Sequence, residues 1–294
     1  MRIVPPRRDA GTITRPESWT GLGRALRDGR ERAAPWVERL GRVGYAAKGN
    51  VYLLVGVLAA EAAIGVAGGA ATGSRGALRH ARRLPFGDVL LVAIAAGLAG
   101  YVLWRLVQTI RDTERKGRSP AGIIVRLGYA ISGAIHGVLA WTALELVQGH
   151  RPRGDEALPH EYTARLLSFP HGPWLVCAVG AVVIGVAVAQ GVIAVRAAFV
   201  SKLDPLSSMA RAWITWLGRL GYVARGVVLF IIGGFLISAG IHANPRDARG
   251  LGGALHEIAR QPEGRWLFGA VAVGLAAYGV FKLLLARCRR MVVR

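Results

Sequence analysis

The stretch Arg42-Val43-Gly44-Tyr45 heads a long apolar run, and the chain writes it twice more, as Arg126-Leu127-Gly128-Tyr129 and Arg219-Leu220-Gly221-Tyr222. The three arginines are 84 and 93 positions apart. Self-similarity at such a spacing marks a repeat architecture and has to be read before any single element. The likeness continues inward, since Gly49, Gly133 and Gly226 each fall five residues after the first glycine of the motif. A second signature opens the alternate apolar runs: Pro85-Phe86-Gly87, Pro170-His171-Gly172 and Pro262-Glu263-Gly264. Each is followed two residues later by an apolar pair, Val89-Leu90, Trp174-Leu175 or Trp266-Leu267. The repeating unit is therefore a hairpin: motif helix, loop, Pro-x-Gly, return helix.

Six segments, roughly 43–66, 86–107, 127–148, 172–195, 217–241 and 265–286, are apolar throughout. Each supplies the ~20 residues that a helix needs to cross a hydrocarbon core about 30 Å thick. Hydrophobic residues make up 53% of the chain, charged residues 19%, and the mean hydropathy is +0.38. A soluble bundle would carry a polar stripe on each helix. Runs such as "FGDVLLVAIAAGLAGYVLW" have almost none. Period-two alternation, the mark of a membrane barrel, is also absent, and backbone groups in lipid are satisfied within a helix. The sequence thus predicts an all-α integral membrane fold of six transmembrane helices in three tandem parallel hairpin repeats. A pseudo-threefold axis along the membrane normal relates such repeats. A closed ring is the simplest arrangement and an open row of hairpins the alternative. The predicted divisions are a basic tail over 1–40 with a surface-lying lead-in helix, then hairpins over 41–115, 125–200 and 217–290.

The net charge of +21 would point to nucleic acid if it formed a patch on a soluble fold. Here it lies between apolar runs, where it meets anionic lipid headgroups, and no nucleic-acid partner is expected. Of the 38 Lys and Arg, 27 fall on the side of the chain termini and 11 on the other. The positive-inside rule then puts both termini in the cytoplasm, with the protein in the inner (plasma) membrane. The N-terminus, "MRIVPPRRDAGTITRPESW", lacks the apolar core of a secretory signal, so the first span is expected to direct insertion. Cys177 and Cys288 form neither a disulfide framework nor a zinc pattern.

The motif residues suggest roles. Arg42, Arg126 and Arg219 are expected to hold lipid phosphates at the cytoplasmic edge, with Tyr45, Tyr129 and Tyr222 in the headgroup layer. The glycine pairs bare part of each helix for close packing, although their spacing is not GxxxG. Pro85, Pro170 and Pro262 suit a first helical turn, where the missing N–H would have no partner.

This arrangement is similar to the bacterial family catalogued as "domain of unknown function 1206", with tandem two-helix units, an R-x-G-Y-x₃-G opening and a P-x-G return. The resemblance covers residues 40–290. It implies an integral membrane protein of bacterial, actinobacterial type and brings no activity. The middle copy departs from the pattern, having Ser132 where the others have Lys48 and Arg225, and its loop lacks the "GGAL" run of Gly252–Leu255.

Ionisable residues inside a span are functional candidates by default. Lys48 and Arg225 are matched one turn inside the motif tyrosine and are expected to snorkel to the interface. Arg105, Gln190 and Lys282 are matched near the ends of the return helices. Glu61 and Glu145, with Ser238 as third counterpart, lie ~24 Å along their helices, at the outer rim. His136 falls ~10 Å beyond Tyr129. It sits within Gly133-x-x-x-Gly137, and its counterparts are Tyr52 and Leu229, which favours a packed, hydrogen-bonded histidine. The loop strings at His160 and His256 lack the second histidine of a zinc-protease helix. No catalytic set, cofactor or metal site is expected. The leading functional reading is a non-enzymatic structural or accessory protein that binds lipids, partner subunits or further copies of itself. The alternative is a small channel or transporter along the threefold axis, using Lys48, Arg225, Glu61, Glu145 and His136 as its polar pathway.

Overall fold

Each apolar run becomes a helix of membrane-spanning length. The computed structural model describes residues 17–66, 68–112, 117, 119–150, 152, 154–203 and 207–288, with side chains from Glu38 onward except at 121 and 202. Its helices are α1 (Glu17–Ile64), α2 (Ser74–Arg82), α3 (Gly87–Arg111), α4 (Pro120–Val147), α5 (Ala157–Leu167), α6 (Gly172–Arg196), α7 (Ser208–Ile241), α8 (Leu251–Arg260) and α9 (Gly264–Cys288). Six stretches are long and apolar enough to cross a membrane: Glu38–Ile64 of α1, α3, Gly122–Val147 of α4, α6, α7 and α9. The short helices α2, α5 and α8 sit in the hairpin loops, so every unit reads span, short helix, span. The predicted lead-in is continuous with the first span inside α1 instead of forming a separate surface helix. The tail up to residue 16 and the side chains of Ala33, Trp36 and Val37 lie outside the described residues.

The Pro-x-Gly signature makes the turn from each short helix into the return span. The N–H of Gly87 donates to Leu84 O, that of Gly172 to Phe169 O and that of Gly264 to Gln261 O. Proline is thus second in a four-residue turn and does not enter the helix, contrary to the expectation above. Phe86 (φ 59) and His171 (φ 61) take the left-handed third position that such a turn requires. The glycine is needed for space. A Cβ on Gly172 would stand 2.5 Å from the carbonyl oxygens of Leu166 and Leu167 as α5 ends, and Gly87 and Gly264 face the same crowding.

The spans contact one another in the order α4, α3, α1, α9, α7, α6, an open arc of the ring expected of three hairpins around an axis. Five of the six neighbouring pairs are packed; α4 and α6, the two arms of the middle hairpin, share no packed seam. The cause can be read by aligning the units. In the first hairpin a Cβ on Gly97 would fall 2.5 Å from the Ala47 methyl, and one on Gly44 would fall 2.5 Å from the Tyr101 backbone. In the third, Gly274 meets Ala224 and Gly221 meets Tyr278 in the same way. The matching residues of the middle hairpin are Val182 for the seam glycine and Ile131 for the alanine. Two bulkier side chains stand where the close Gly–Ala contact would form, both are exposed, and no atom comes within 4 Å of a Cβ built on Gly128. The second motif glycine works at the other seams. Gly49 lies on Gly279 O, Gly133 on the Arg105 side chain and Gly226 on Ala187 O. In the first and third hairpins the first glycine therefore closes its own hairpin, and in all three the second joins that hairpin to the preceding one.

On the loop side the middle hairpin is tied down by two carboxylates. Asp155 accepts from the Gly73 N–H (2.9 Å) and the Thr72 hydroxyl (3.0 Å) at the start of α2. Glu156 accepts from the Gly250 N–H (2.5 Å) and the Gly253 N–H (2.8 Å) at the start of α8. A helix N-terminus presents unpaired N–H groups and partial positive charge, so each carboxylate caps a neighbouring unit.

These seams predict an asymmetric response to bulk. Gly44→Val and Gly221→Val should each destabilise the protein by about 1–3 kcal/mol through overpacking. Gly128→Val, at the matched open position, should leave the thermal unfolding midpoint in detergent unchanged.

Candidate functional site: a cation–tyrosine layer inside the ring

The motif arginines join units together. Arg42 Nη1 donates to Ala286 O (3.2 Å) and Arg287 O (2.7 Å) at the end of α9. Arg126 donates to Thr109 O (2.7 Å) and Ile110 O (3.3 Å) at the end of α3, and Arg219 to Val195 O (3.4 Å) at the end of α6. Each arginine therefore caps the C-terminus of the preceding return helix, where unpaired carbonyls and the helix dipole favour a cation. This is a role beyond the expected one at the headgroups, and it explains why the motif recurs once per unit.

The tyrosines behave differently from the expectation too. Tyr45 is 2% exposed and packs edge-on against Tyr101, 5.7 Å between ring centroids. Six of the seven tyrosines (Tyr45, Tyr52, Tyr101, Tyr129, Tyr222 and Tyr278) surround four cations in the ring interior. Lys48, expected to snorkel, is 3% exposed and donates to the Tyr101 hydroxyl at 3.1 Å. The Arg105 Nε donates to the same oxygen at 2.7 Å, and Ser132 Oγ lies 3.2 Å from it. A phenol has two acceptor lone pairs and one proton. With both lone pairs taken by cations, Tyr101 donates to Ser132. Arg225 Nε donates to the Tyr52 hydroxyl (3.3 Å), and Lys282 Nζ to that of Tyr222 (3.4 Å).

The ring faces contribute as well. Lys48 and Arg105 each stand 4.9 Å from the Tyr101 centroid, Arg105 4.9 Å from Tyr129, Lys282 4.5 Å from Tyr278 and Arg225 5.6 Å from Tyr278. Such contacts are worth up to about 2 kcal/mol each when desolvated. Among the described residues no carboxylate lies within ion-pair distance of Lys48, Arg105 or Arg225. An unpaired buried ion costs several kcal/mol, about the sum of the few ring and hydroxyl contacts each cation makes.

His136 is 6% exposed, packs at a tilt against Tyr101 with ring centroids 4.7 Å apart and has Nδ1 2.7 Å from Ser132 O. A carbonyl only accepts, so Nδ1 carries the proton, as fits a packed histidine on the wall of the layer. The two glutamates are not brought together in the layer. Glu145 accepts from the Trp141 indole on its own helix (2.9 Å) and lies near Arg75 of α2. Burial lowers the Arg75 guanidinium from its usual value, and the Asp155 and Glu145 carboxylates oppose that shift. Ser238 bonds to His242 and Asp247 on the loop side. Among the described residues no three His, Cys, Asp or Glu side chains converge as metal ligands would. Tyr101 and Tyr278 were not among the sequence candidates. Their signal was present, since each stands four residues before a cation, Arg105 or Lys282, on one helical face.

The model of the family described as Domain of Unknown Function (DUF1206) matches residues 43–112, 127–197 and 220–289. The chain is also 39% identical over 259 residues to YxxB of Bacillus subtilis (strain 168), described as an uncharacterized protein. That alignment covers 87% of this chain and 92% of the relative. No solved structure matches.

Removing the hydroxyl that two cations share should be costly. Tyr101→Phe is expected to destabilise the protein by about 2–4 kcal/mol, because hydrogen bonds to charged groups are worth ~1.5–3 kcal/mol each. Tyr162→Phe, outside the layer, should cost less than about 0.5 kcal/mol. Denaturant unfolding in detergent micelles reads both.

Proposed function

The chain belongs to that family, and we propose that it is a non-enzymatic membrane protein, structural or accessory, that binds membrane lipids or partner subunits. The observation that carries this reading is the open seam between α4 and α6. Five seams of the ring are filled by helix on helix. At the sixth, Ile131, Ile135, Val182 and Val186 face outward with no helix against them. In a bilayer, apolar surface of that kind is covered by acyl chains or by another transmembrane helix. The exposed motif-facing glycines, Gly128 and Gly185, leave bare backbone there for a close-fitting occupant.

A conduction pathway along the axis is the weaker reading. The inward position of Lys48 and Arg225 favours a polar interior, yet tyrosine rings occupy it. The Arg105 and Arg225 guanidinium groups, which stay charged at any ordinary pH, repel protons and metal cations there. On the loop side, the starts of α2 and α8 meet across the axis beneath Asp155 and Glu156, where Gly73 and Gly252 are in contact. The excess of Lys and Arg on the terminal side supports termini in the cytoplasm and a plasma-membrane location.

Mild detergent extraction followed by native mass spectrometry tests the reading. The full chain should be recovered with lipid, or with a second protein, at fixed stoichiometry. Recovery of the bare monomer under every mild condition would contradict it.

A further inference from the structure

We propose that the interior layer is a binding site for the phosphate head group of an anionic lipid, which reaches it sideways through the α4–α6 seam. The inference rests on the lipid-binding reading above and names its site and ligand.

The layer has donor groups to spare. Arg225 spends its Nε on Tyr52, and its four remaining N–H donors have no further protein partner among the described residues. Arg225 is partly exposed although it lies inside a span. Lys48 and Arg105 share the Tyr101 hydroxyl, Arg105 Nη1 also donates to Gln108 Oε1 (2.9 Å), and none of these partners carries a negative charge. Gln190 occupies the position matched to Arg105 and Lys282. It is 7% exposed, and its Oε1 has no hydrogen-bond partner. A polar side chain this deeply buried and unpartnered points to a missing ligand. Because amide O and N are interchanged by a simple flip, Gln190 can present either a donor or an acceptor.

The seam supplies the route and the rest of the fit. Ile131 on α4 and Val182 on α6 form its apolar walls, and Val182 is 64% exposed. Ser132 follows Ile131 directly and bonds to Tyr101, so the α4 wall adjoins the polar layer. Acyl chains suit the walls, and an anion suits the interior. A phosphate offers several oxygens to a guanidinium fork, an ammonium and hydroxyls together, which a single carboxylate does less well. A zwitterionic head group would carry its own cation into a site that already holds four.

The test uses the purified full chain in detergent, titrated with phosphatidate, phosphatidylcholine or inorganic phosphate, with binding read by native mass spectrometry. Phosphatidate should bind one to one and at least tenfold more tightly than phosphatidylcholine. Lys48→Gln and Arg225→Gln should each weaken it at least tenfold. Val182→Trp, which fills the seam at an exposed position and leaves every cation in place, should do the same and keeps the test valid if a layer variant fails to fold. Phosphatidate binding that ignores all three substitutions would mean surface lipid only, overturning the site while leaving lipid binding intact. Inorganic phosphate binding as tightly as phosphatidate, with Val182→Trp harmless, would assign the layer to a soluble anion and overturn the lateral lipid route. Retention of no lipid at all would remove this inference together with the reading it rests on.

Discussion

A cation buried in hydrocarbon without a carboxylate has to be held by dipoles and ring faces, and that constraint organises this protein. Lys48, Arg105, Arg225 and Lys282 converge among the tyrosines, which for Lys48, Arg105 and Arg225 take the place of counter-ions among the described residues. Tyrosine suits the task because one side chain offers a negative ring face and a hydroxyl that accepts twice. Tyr101 uses both, touching Lys48 and Arg105 while donating to Ser132 of the next hairpin. Rings cannot neutralise charge, so the layer stays strongly positive. Its position between α1, α3, α7 and α9 then requires that those four helices pack closely, which the seam glycines permit.

The three hairpins are equal in plan and unequal in packing. The motif arginine caps the preceding unit in all three, so the joints between hairpins survive throughout. The joint within a hairpin needs Gly against Ala, and the middle copy has Val182 and Ile131 there. The same copy also replaces a layer cation by Ser132 and a tyrosine by Val186. Its loop meanwhile supplies Asp155 and Glu156, which fasten it to both neighbours. One copy of the repeat thus gives up the close seam and takes on the latch, and a threefold plan acquires a single side opening.

Hydropathy and the repeat made the six spans, their hairpin pairing and the family legible, because lipid leaves few ways to satisfy a backbone. The starts of α4 and α7 run seven to nine residues earlier than the apolar runs suggest. Ser119 and Ser207 cap those helices through Gly122 N–H (3.2 Å) and Ala210 N–H (3.3 Å), a local signal that hydropathy alone ignores. The layer was half legible. Matched cations at one depth were evident, but a lysine one turn inside a span fits snorkelling and burial equally until its neighbours are known. The Asp155 and Glu156 caps bridge 82 and 94 positions, and no local pattern announces them. The open seam was written in the copies, at positions where Gly and Ala give way to Val and Ile.

Cysteine cross-linking at matched seam positions, in a background lacking Cys177 and Cys288, probes this architecture most directly. The pairs are Val51→Cys with Ile94→Cys, Val228→Cys with Val271→Cys, and Ile135→Cys with Val179→Cys, which occupy matched places in the three hairpins. Oxidation in native membranes should join the first two pairs readily and leave the third unjoined. Equal cross-linking of all three would mean a closed ring, and the side opening with everything built on it would be wrong.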